Sequence, residues 1–532
     1  MIPRIHLMFG VLITGLGCAG PREDTARRLP PPPPPPVAIA QQVPEPISPV
    51  RAVAYSEVEP EAVSGKVPPA ASAAPPPVRG GVPSIGGPLN LDEVLGSVER
   101  HYPLLRAVEQ ERGIAGGRLL TSMGAFDLNL SAVTDGQGTT YDNLRNSVGV
   151  SRGLPLGGIG VFAGYRHSAG DFPTYNLGSK TADGGEFRAG VSIPLLRDRA
   201  IDRPRANVQQ ARLDIALAEP TIERQRLDFQ RAASRTYWNW VAAGGRLRVV
   251  EELVKLADDR DEQLKARVAV GPAANIERID NQQNIALRNG VLVQAQRGFQ
   301  QATIELSLFL RDGTGTPALA GTNRLLEFPE VRPVDPQSFE PALQAAFDLR
   351  PEPRRFWLQR DKALVELRLA ENQTLPTLNA VVTATQDVGV GSSSLSGPNG
   401  LERTGASAGL SFQLPVQRRE ALGRIQQARA SIGQIEYQLR NAEDVVRAEV
   451  QDAFSALERA FEFHRQAKAR VELARVVARA EREQLRLGRS DILRVTLREQ
   501  ASFDAEIVEL GAKQDYFRAI ADFKAATGNS GK

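Results

Sequence analysis

The sequence contains the same series of segments twice, and this duplication limits the possible folds more than any other feature. In the first half, an apolar-patterned opening at Leu91–Leu95 leads into Tyr102-Pro103, and 248 residues later a similar opening leads into Arg350-Pro351. Each half then predicts the same order of elements: short helix, strands, long helix, glycine turn, short helix. Duplication over this length predicts a pseudo-symmetric architecture.

We therefore divide the chain into a first structural repeat at residues 89–310, an inter-repeat linker at 311–337 and a second structural repeat at 338–528. Further along the repeats, the separation between matching segments falls: Ile193–Leu195 lies 221 residues before Leu414–Val416. The first repeat thus has additional residues between its strands.

These additional residues fall near Val148–His167, around the adjacent glycines Gly157 and Gly158. Paired glycines supply the positive φ angles that a two-residue hairpin turn requires. We therefore expect an extra hairpin in the first repeat.

Apolar residues alternate with small polar residues in three segments, around Leu128–Ala132, Leu378–Ala384 and Leu410–Leu414. Strands of this kind have one apolar and one polar face, which suits strands between lipid and water. An antiparallel sheet packed on a soluble core has the same period, so the strands alone leave both interpretations open.

Two long helices are predicted at residues 204–270 and 418–487, each about 100 Å long. In the second, apolar residues follow one another in steps of three and four from Ile425 to Ala478. A heptad pattern imposes a left-handed supercoil. The short helices of each repeat, placed end to end, match the long helix in length. Each repeat should therefore form an antiparallel pair of rods.

Several residues interrupt these helical patterns. Pro220 should kink the first long helix or mark its true start. His464 is the one polar residue in the second seam, and we interpret it as a tolerated seam residue rather than a ligand. Five aromatic residues are interpreted as filling wider parts of the seam rather than forming a ligand site: Tyr237, Trp238, Trp240, Phe461 and Phe463.

Composition argues against several classes of protein. A formal net charge of +3 gives no basic footprint for nucleic acid. The single cysteine, Cys18, excludes an internal disulfide, and the four histidines show no metal-ligand spacing, so we predict no metal site. No catalytic constellation emerges, so we predict neither an enzyme nor a cofactor. No apolar run is long enough for a transmembrane helix, which leaves strands as the candidates for spanning a membrane.

The N-terminus resembles a secretory leader. Residues 1–17 have one basic residue followed by a short apolar region, as in a signal peptide. Gly17-Cys18 resembles the cleavage point of a bacterial lipoprotein, which implies lipidation of Cys18; ordinary signal cleavage beside an incidental cysteine is the alternative. Residues 18–88 are predicted to be a lipid-anchored, proline-rich linker, in which Pro30–Pro36 favours extended polyproline II.

The doubled order of elements resembles the TolC-type outer-membrane efflux proteins, over about residues 89–528. The segments that carry the resemblance are short. In the first repeat they are Leu91–Leu95, Ser192–Asp198 and Tyr237–Trp240, and in the second they are Leu375–Leu378 and Leu487–Asp491. The resemblance implies a mostly α-helical, internally duplicated homotrimer. Long coiled-coil hairpins would form an α-barrel in the periplasm. Four transmembrane strands per protomer, or six if the extra hairpin joins them, would form a small β-barrel surrounded by outer-membrane lipid.

The function implied by the resemblance is that of an outer-membrane exit duct in a tripartite efflux or type I secretion system. Such a duct passively conducts substrates from a periplasmic adaptor and an inner-membrane pump to the exterior. The alternative is a periplasmic coiled-coil scaffold or envelope-spacer lipoprotein without a pore, since heptads would serve both.

The resemblance also implies two kinds of site. The glycine turns would form a periplasmic tip that contacts the adaptor, at Val270, Gly271, Pro272, Leu487, Gly488, Arg489 and Ser490. The glycines also have a purely structural explanation, because a helical hairpin needs a left-handed residue at its turn.

The second implied site is a periplasmic gate. Glu277 falls on an acidic gate position, whereas Arg494 stands where carboxylates often occur in the second repeat. We hypothesise that Glu277 pairs with Arg489 or Arg494 to hold the tip closed; two solvated surface charges are the alternative.

Overall fold

The computed structural model describes residues 87–529 except 139, 174–179, 272–274 and 391–403. The predicted signal peptide, Cys18, nearly all of the proline-rich linker and Pro272 lie outside the described residues.

The described chain contains nine helices and six strands, and the same types of element recur in its two halves. In the first half these are α1 (Leu91–His101), α2 (Pro103–Glu109), α3 (Glu111–Met123), β1 (Asn129–Gln137), β2 (Asn143–Gly153), β3 (Gly160–Gly170), β4 (Glu186–Pro194), α4 (Arg203–Val270) and α5 (Asn275–Ser307). In the second half they are α6 (Phe339–Leu349), α7 (Pro351–Asn372), β5 (Thr377–Asp387), β6 (Thr404–Gln413), α8 (Arg419–Arg486) and α9 (Ile492–Ala526).

The two long helices, α4 and α8, each have 68 residues and begin and end within one residue of their predicted bounds. Helix α4 starts where the side chain of Asp202 accepts a hydrogen bond from the backbone of Arg205 at 2.9 Å. Pro220 is buried inside the helix. The suggestion that Pro220 marks the start of the helix is therefore wrong, because the cap fixes the start seventeen residues earlier.

The short helices break at matching places in the two halves. Pro103 is the first residue of α2 and Pro351 is the first residue of α7. Tyr102 and Arg350, which precede these prolines, have extended backbones, as a residue before proline prefers. A proline at the first helical position loses no helical hydrogen bond, so the chain turns at this point and resumes as a new helix.

The helices lie side by side in a layer that we call the helical wall. In one part of the wall the order is α5, α4, α9, α8; in the other part it is α3, α4, α7, α8. Helix α4 therefore has neighbours on both sides throughout. Among the described elements, helix α8 has neighbours on one side only, and α3 and α5 form the opposite free edge. Among the described helices, none combines the length and apolarity needed to cross a membrane.

The strands form one antiparallel sheet in sequence order, with β1 and β6 at its edges. The extra hairpin, β2–β3, pairs with β1 and β4 and is therefore part of the sheet. Its turn, residues 154–159, is longer than the predicted two-residue turn. Gly157 and Gly158 both have positive φ angles there, and a Cβ on Gly158 would lie 2.6 Å from the carbonyl oxygen of Asp198.

The strand register gives the sheet two chemically different faces. One row across the sheet consists of Ser131, Gly149, Gly164, Arg188, Thr385 and Gly405. The adjacent row, on the other face, consists of Leu130, Val150, Ala163, Ala189, Ala384 and Ala406. We call the first the polar face and the second the apolar face. The predicted alternation is confirmed.

The largest hydrophobic cluster lies midway along the helical wall. Tyr237 and Trp240 are almost fully buried in it, and Trp238 stacks on Phe517 with ring centroids 4.4 Å apart. These aromatic residues fill the core, as predicted. Phe463 is different, because 53% of its surface is exposed.

Candidate functional site

The described ends of the two long hairpins, α4–α5 and α8–α9, lie next to each other. A groove of about 920 Å³ is lined by residues of both hairpins, including Arg267 and Glu277 from the first and Ser490 and Asp491 from the second. We call it the tip groove. The groove thus brings together residues of two hairpins that are more than 200 residues apart in sequence; of the predicted tip residues, Ser490 lines it.

The turn between α8 and α9 is a Schellman motif. The backbone N–H of Arg489 donates to the carbonyl of Gln484 at 2.8 Å, and that of Gly488 donates to Leu485 at 3.0 Å. Gly488 has a φ of 72°. Asp491 then caps α9 by accepting a hydrogen bond from the backbone of Arg494 at 2.8 Å. These bonds fix the turn without help from any partner molecule.

The turn between α4 and α5 also begins with a left-handed glycine. Gly271 has a φ of 91°, and its N–H donates to the carbonyl of Val268 at 3.2 Å. Apolar side chains are exposed at both turns: Val270 is 83% exposed and Leu487 is 50% exposed.

The two predicted gate residues have different surroundings. Glu277 is half-buried and lines the tip groove beside Asp280. The Arg494 guanidinium lies 3.4 Å from Asp491, at an exposed position. Within the chain, Glu277 forms no ion pair with Arg489 or Arg494, so that hypothesis is wrong for a single copy. Arg494 instead pairs with Asp491, the residue that caps its own helix.

A buried electrostatic link between the hairpins centres on Glu499 of α9, which sequence reasoning missed. Its side chain is fully buried and pairs with Arg260 of α4, and it also accepts a hydrogen bond from Arg482 of α8 at 2.7 Å. Arg260 also donates to Thr496 at 3.0 Å. One carboxylate thus ties the first hairpin to both helices of the second.

A third arginine lies beside this cluster. Arg288 of α5 is 3% exposed and donates to the carbonyl of Leu253 at 3.0 Å. Burial, followed by the nearby positive charge of Arg260, lowers the pKa of the Arg288 guanidinium, while Glu499 opposes this shift. A buried carboxylate such as Glu499 therefore offsets the cost of bringing several arginines together.

The sequence did contain one signal for this cluster. Val495, Glu499 and Ser502 follow one another in steps of four and three, and all three are buried. A carboxylate in a seam position indicates a buried ion pair, because an unpaired charge there would be too costly. Its partner could not be predicted, since Arg260 lies on another hairpin.

His464 occupies the seam of α8 as predicted. It is 7% exposed, and its Nε2 lies 3.8 Å from Glu509 of α9. Burial, and then the charge of Lys513, lower the pKa of His464. Within the part of the chain that the structure describes, no group of three His, Cys, Asp or Glu residues could hold a metal ion.

No protein-family model matches the sequence, and no curated protein matches it. Solved structures do match. The open state of the MtrE outer-membrane channel from Neisseria gonorrhoeae superimposes with a TM-score of 0.60 at 16% identity, covering 83% of this chain and 89% of that one. This is the fold of the TolC-type outer-membrane channels.

Two further channels support the assignment of the TolC-type fold. The CmeC outer-membrane channel of Campylobacter jejuni has a TM-score of 0.57 at 14% identity, covering 83% of this chain and 86% of its own. The outer-membrane protein VceC of Vibrio cholerae has a TM-score of 0.57 at 15% identity, covering 82% and 96%. Because identity is this low, the TolC-type fold gives the architecture, and the activity has to be argued from this chain's own residues.

Proposed function

We propose that this protein is an outer-membrane exit duct, built by three copies of the chain that close around a water-filled bore. The observation that carries the proposal is that the sheet and both parts of the helical wall are open, with free edges on corresponding sides. The first half supplies one edge through β1, α3 and α5. The second half supplies the other through β6 and α8.

Edges of this kind favour closure by further copies. Strands β1 and β6 each leave one row of backbone groups without a strand partner in the described chain, and such edges pair with other strands. The side of α8 that faces away from α9 exposes Tyr437, Leu473 and Val476. One edge meeting the other edge of the next copy is a head-to-tail contact, which generates a closed ring. The number three comes from the TolC-type resemblance.

The two faces of the sheet suit such a ring. The polar face would line the bore and the apolar face would contact outer-membrane lipid, as in known membrane barrels. Closure would also satisfy the edge backbone groups, which lipid cannot do.

The same proposal gives roles to the remaining predicted parts. Residues 1–17 would be removed as a signal peptide, Cys18 would be lipidated, and residues 18–88 would tether the protein. The two repeats, 89–310 and 338–528, would each supply half of a protomer's wall. Val270 and Leu487, with the turns around them, would contact a periplasmic adaptor. An inner-membrane pump would then supply the energy, because the duct is passive.

We further propose that the region of Glu277 and Arg494 acts as a periplasmic gate, held in place by the Glu499 cluster. Replacing Glu499 with glutamine should loosen the two hairpins and raise the single-channel conductance. The matched control is Glu506→Gln on the same helix, because Glu506 pairs with Arg475 inside one hairpin, at 2.9 Å. Equal conductance in the two variants would argue against the gate.

The experiment that tests the duct itself is purification of the full chain from membranes. A duct should require detergent, have the mass of three chains, and make liposomes permeable to ions. A periplasmic scaffold, the alternative function, would remain soluble without detergent and leave liposomes sealed.

A further inference from the structure

The polar face of the sheet contains a concavity of about 420 Å³ that runs along strands β2 and β3. Three arginines line it, Arg145, Arg166 and Arg188, whereas Asp135 is the only acidic residue that does. Small residues surround the arginines, because Gly149 and Gly164 lie across the strands from Ser131 and Arg188. The concavity is therefore shallow, open and cationic.

Arg188 is held in place by an aromatic ring. Its guanidinium carbon lies 5.6 Å from the centroid of Phe162, a cation–π arrangement. Phe162 can lie across the polar face only because its cross-strand neighbour is Gly190, where a Cβ would be 2.5 Å from the ring. Apolar rings are unusual on the water side of such a sheet, and this one positions a charge.

The other charges on this face are neutralised locally. Arg145 pairs with Asp135, and Arg166 pairs with Glu186. Glu186 is 2% exposed and Asp387 is 1% exposed, so neither carboxylate is accessible to ions passing over the face. Among the described residues, none places a carboxylate within ion-pair distance of Arg188, which is exposed. With Arg145 and Arg166 paired, the accessible unpaired charge on this face is the positive charge of Arg188.

We propose that Arg188 makes the strand-lined part of the duct prefer anions. The proposal rests on the duct function given above, in which the polar face lines the bore and three copies place three Arg188 side chains around it. Rings of arginine favour anions in membrane pores, and a cleft lined by one sign of charge concentrates the opposite ion. The solutes favoured would be small molecules with a carboxylate, sulfate or phosphate group.

The test is the reversal potential of the purified full-length channel in a lipid bilayer under a potassium chloride gradient. The wild-type permeability ratio of chloride to potassium should exceed one, and Arg188→Gln should reduce it by roughly threefold, as expected for one screened charge per subunit. Arg188→Lys should retain the preference.

The matched control is Arg152→Gln. Arg152 lies on strand β2 opposite Val161, in the register of the apolar face, and donates to the carbonyl of Phe126 at 2.9 Å. The substitution Arg152→Gln removes the same charge from the same sheet without changing the polar face. It should therefore leave the permeability ratio unchanged.

Each outcome decides the matter. A wild-type ratio at or below one overturns the proposal without any variant, which covers the case in which Arg188→Gln fails to assemble. An unchanged ratio in Arg188→Gln also overturns it. Absence of any conductance in the wild type would instead refute the duct function, so the two failures can be told apart.

Discussion

Helices α4 and α8 occupy matching places in the two halves, yet they have different surroundings. Both have 68 residues. Helix α4 lies between neighbours on both sides and buries large side chains such as Trp240 and Leu247. Helix α8 has the more regular heptad pattern but buries only the side that faces its own hairpin and α7, leaving Leu473 68% exposed.

The difference shows that a heptad seam identifies one buried side of a helix. It does not tell how many other helices pack against that helix. Tyr437 and Leu473 are ten helical turns apart on α8, so they lie on the same side of the helix, away from the seam. In α4 the corresponding side is covered within the chain. In α8 the described residues leave it exposed.

The largest expected effect tests whether the exposed side of α8 is an interface, and it comes from Leu473→Glu. If another copy covers this side of α8, a buried unpaired carboxylate should raise the dissociation constant of the oligomer by at least about tenfold. Helix content should not change. Light scattering in detergent measures the mass; Lys255→Glu, at an exposed position of α4, is the control and should remain oligomeric. If both variants keep the wild-type mass, α8 is not an interface.

The next effect concerns the aromatic residues of the two helices. Trp240→Ala should reduce the free energy of unfolding by about 3–5 kcal/mol, because it leaves a cavity in the core and removes the hydrogen bond to Thr303. Phe463→Ala, on α8, should cost less than about 1 kcal/mol, since the ring is exposed. Urea unfolding followed by circular dichroism measures both. Similar losses would mean that the two helices are equally buried.

The two helices also start differently. Asp202 caps α4, and Asp202→Ala should cost about 1 kcal/mol. Helix α8 follows Arg418, which has a φ of 50° and provides no side-chain cap. Arg418→Gly should therefore increase stability by up to about 1 kcal/mol, because glycine adopts this conformation without strain. The same urea titration measures the free energy of unfolding of both variants, which should change in opposite directions. A loss of stability in both variants would refute the interpretation.

The smallest effect is a pH dependence that resides in α8 alone. The folded-state pKa of His464 is lowered by burial and by Lys513, with Lys468 acting in the same direction and Glu509 opposing it. The unfolded chain then binds more protons, so stability should fall as pH drops through the ordinary histidine range and level off below the folded-state pKa. Comparison of unfolding curves at several pH values with those of His464→Gln measures it, and identical slopes would exclude this origin.

Much of the fold could be predicted because the signals are local. The heptads of α8 require only residues three and four apart. The left-handed glycines 271 and 488 were likewise predictable, since a helical hairpin needs them. The helix breaks at Pro103 and Pro351 were not predicted, although each proline marks its break locally.

The electrostatic part of the site could not be predicted in the same way. Glu499 finds Arg260 across 239 residues, and Glu277 finds neither arginine that was assigned to it. Ion pairs depend on which helices lie side by side. The sequence alone allows each charged residue many oppositely charged partners. The length of the β2–β3 turn was also missed, because the adjacent glycines mark a change of direction without fixing how many residues it takes.

The sequence by itself determined the doubled order of elements, the bounds of α4 and α8 and the two faces of the sheet, because each follows from periodicity, caps and turns within a few residues. Only the tertiary structure decided that β2–β3 joins the sheet, that Glu499 links the hairpins, and that the described residues cover both sides of α4 but only one side of α8. These features depend on contacts between segments far apart in the chain, whose energies no local pattern encodes.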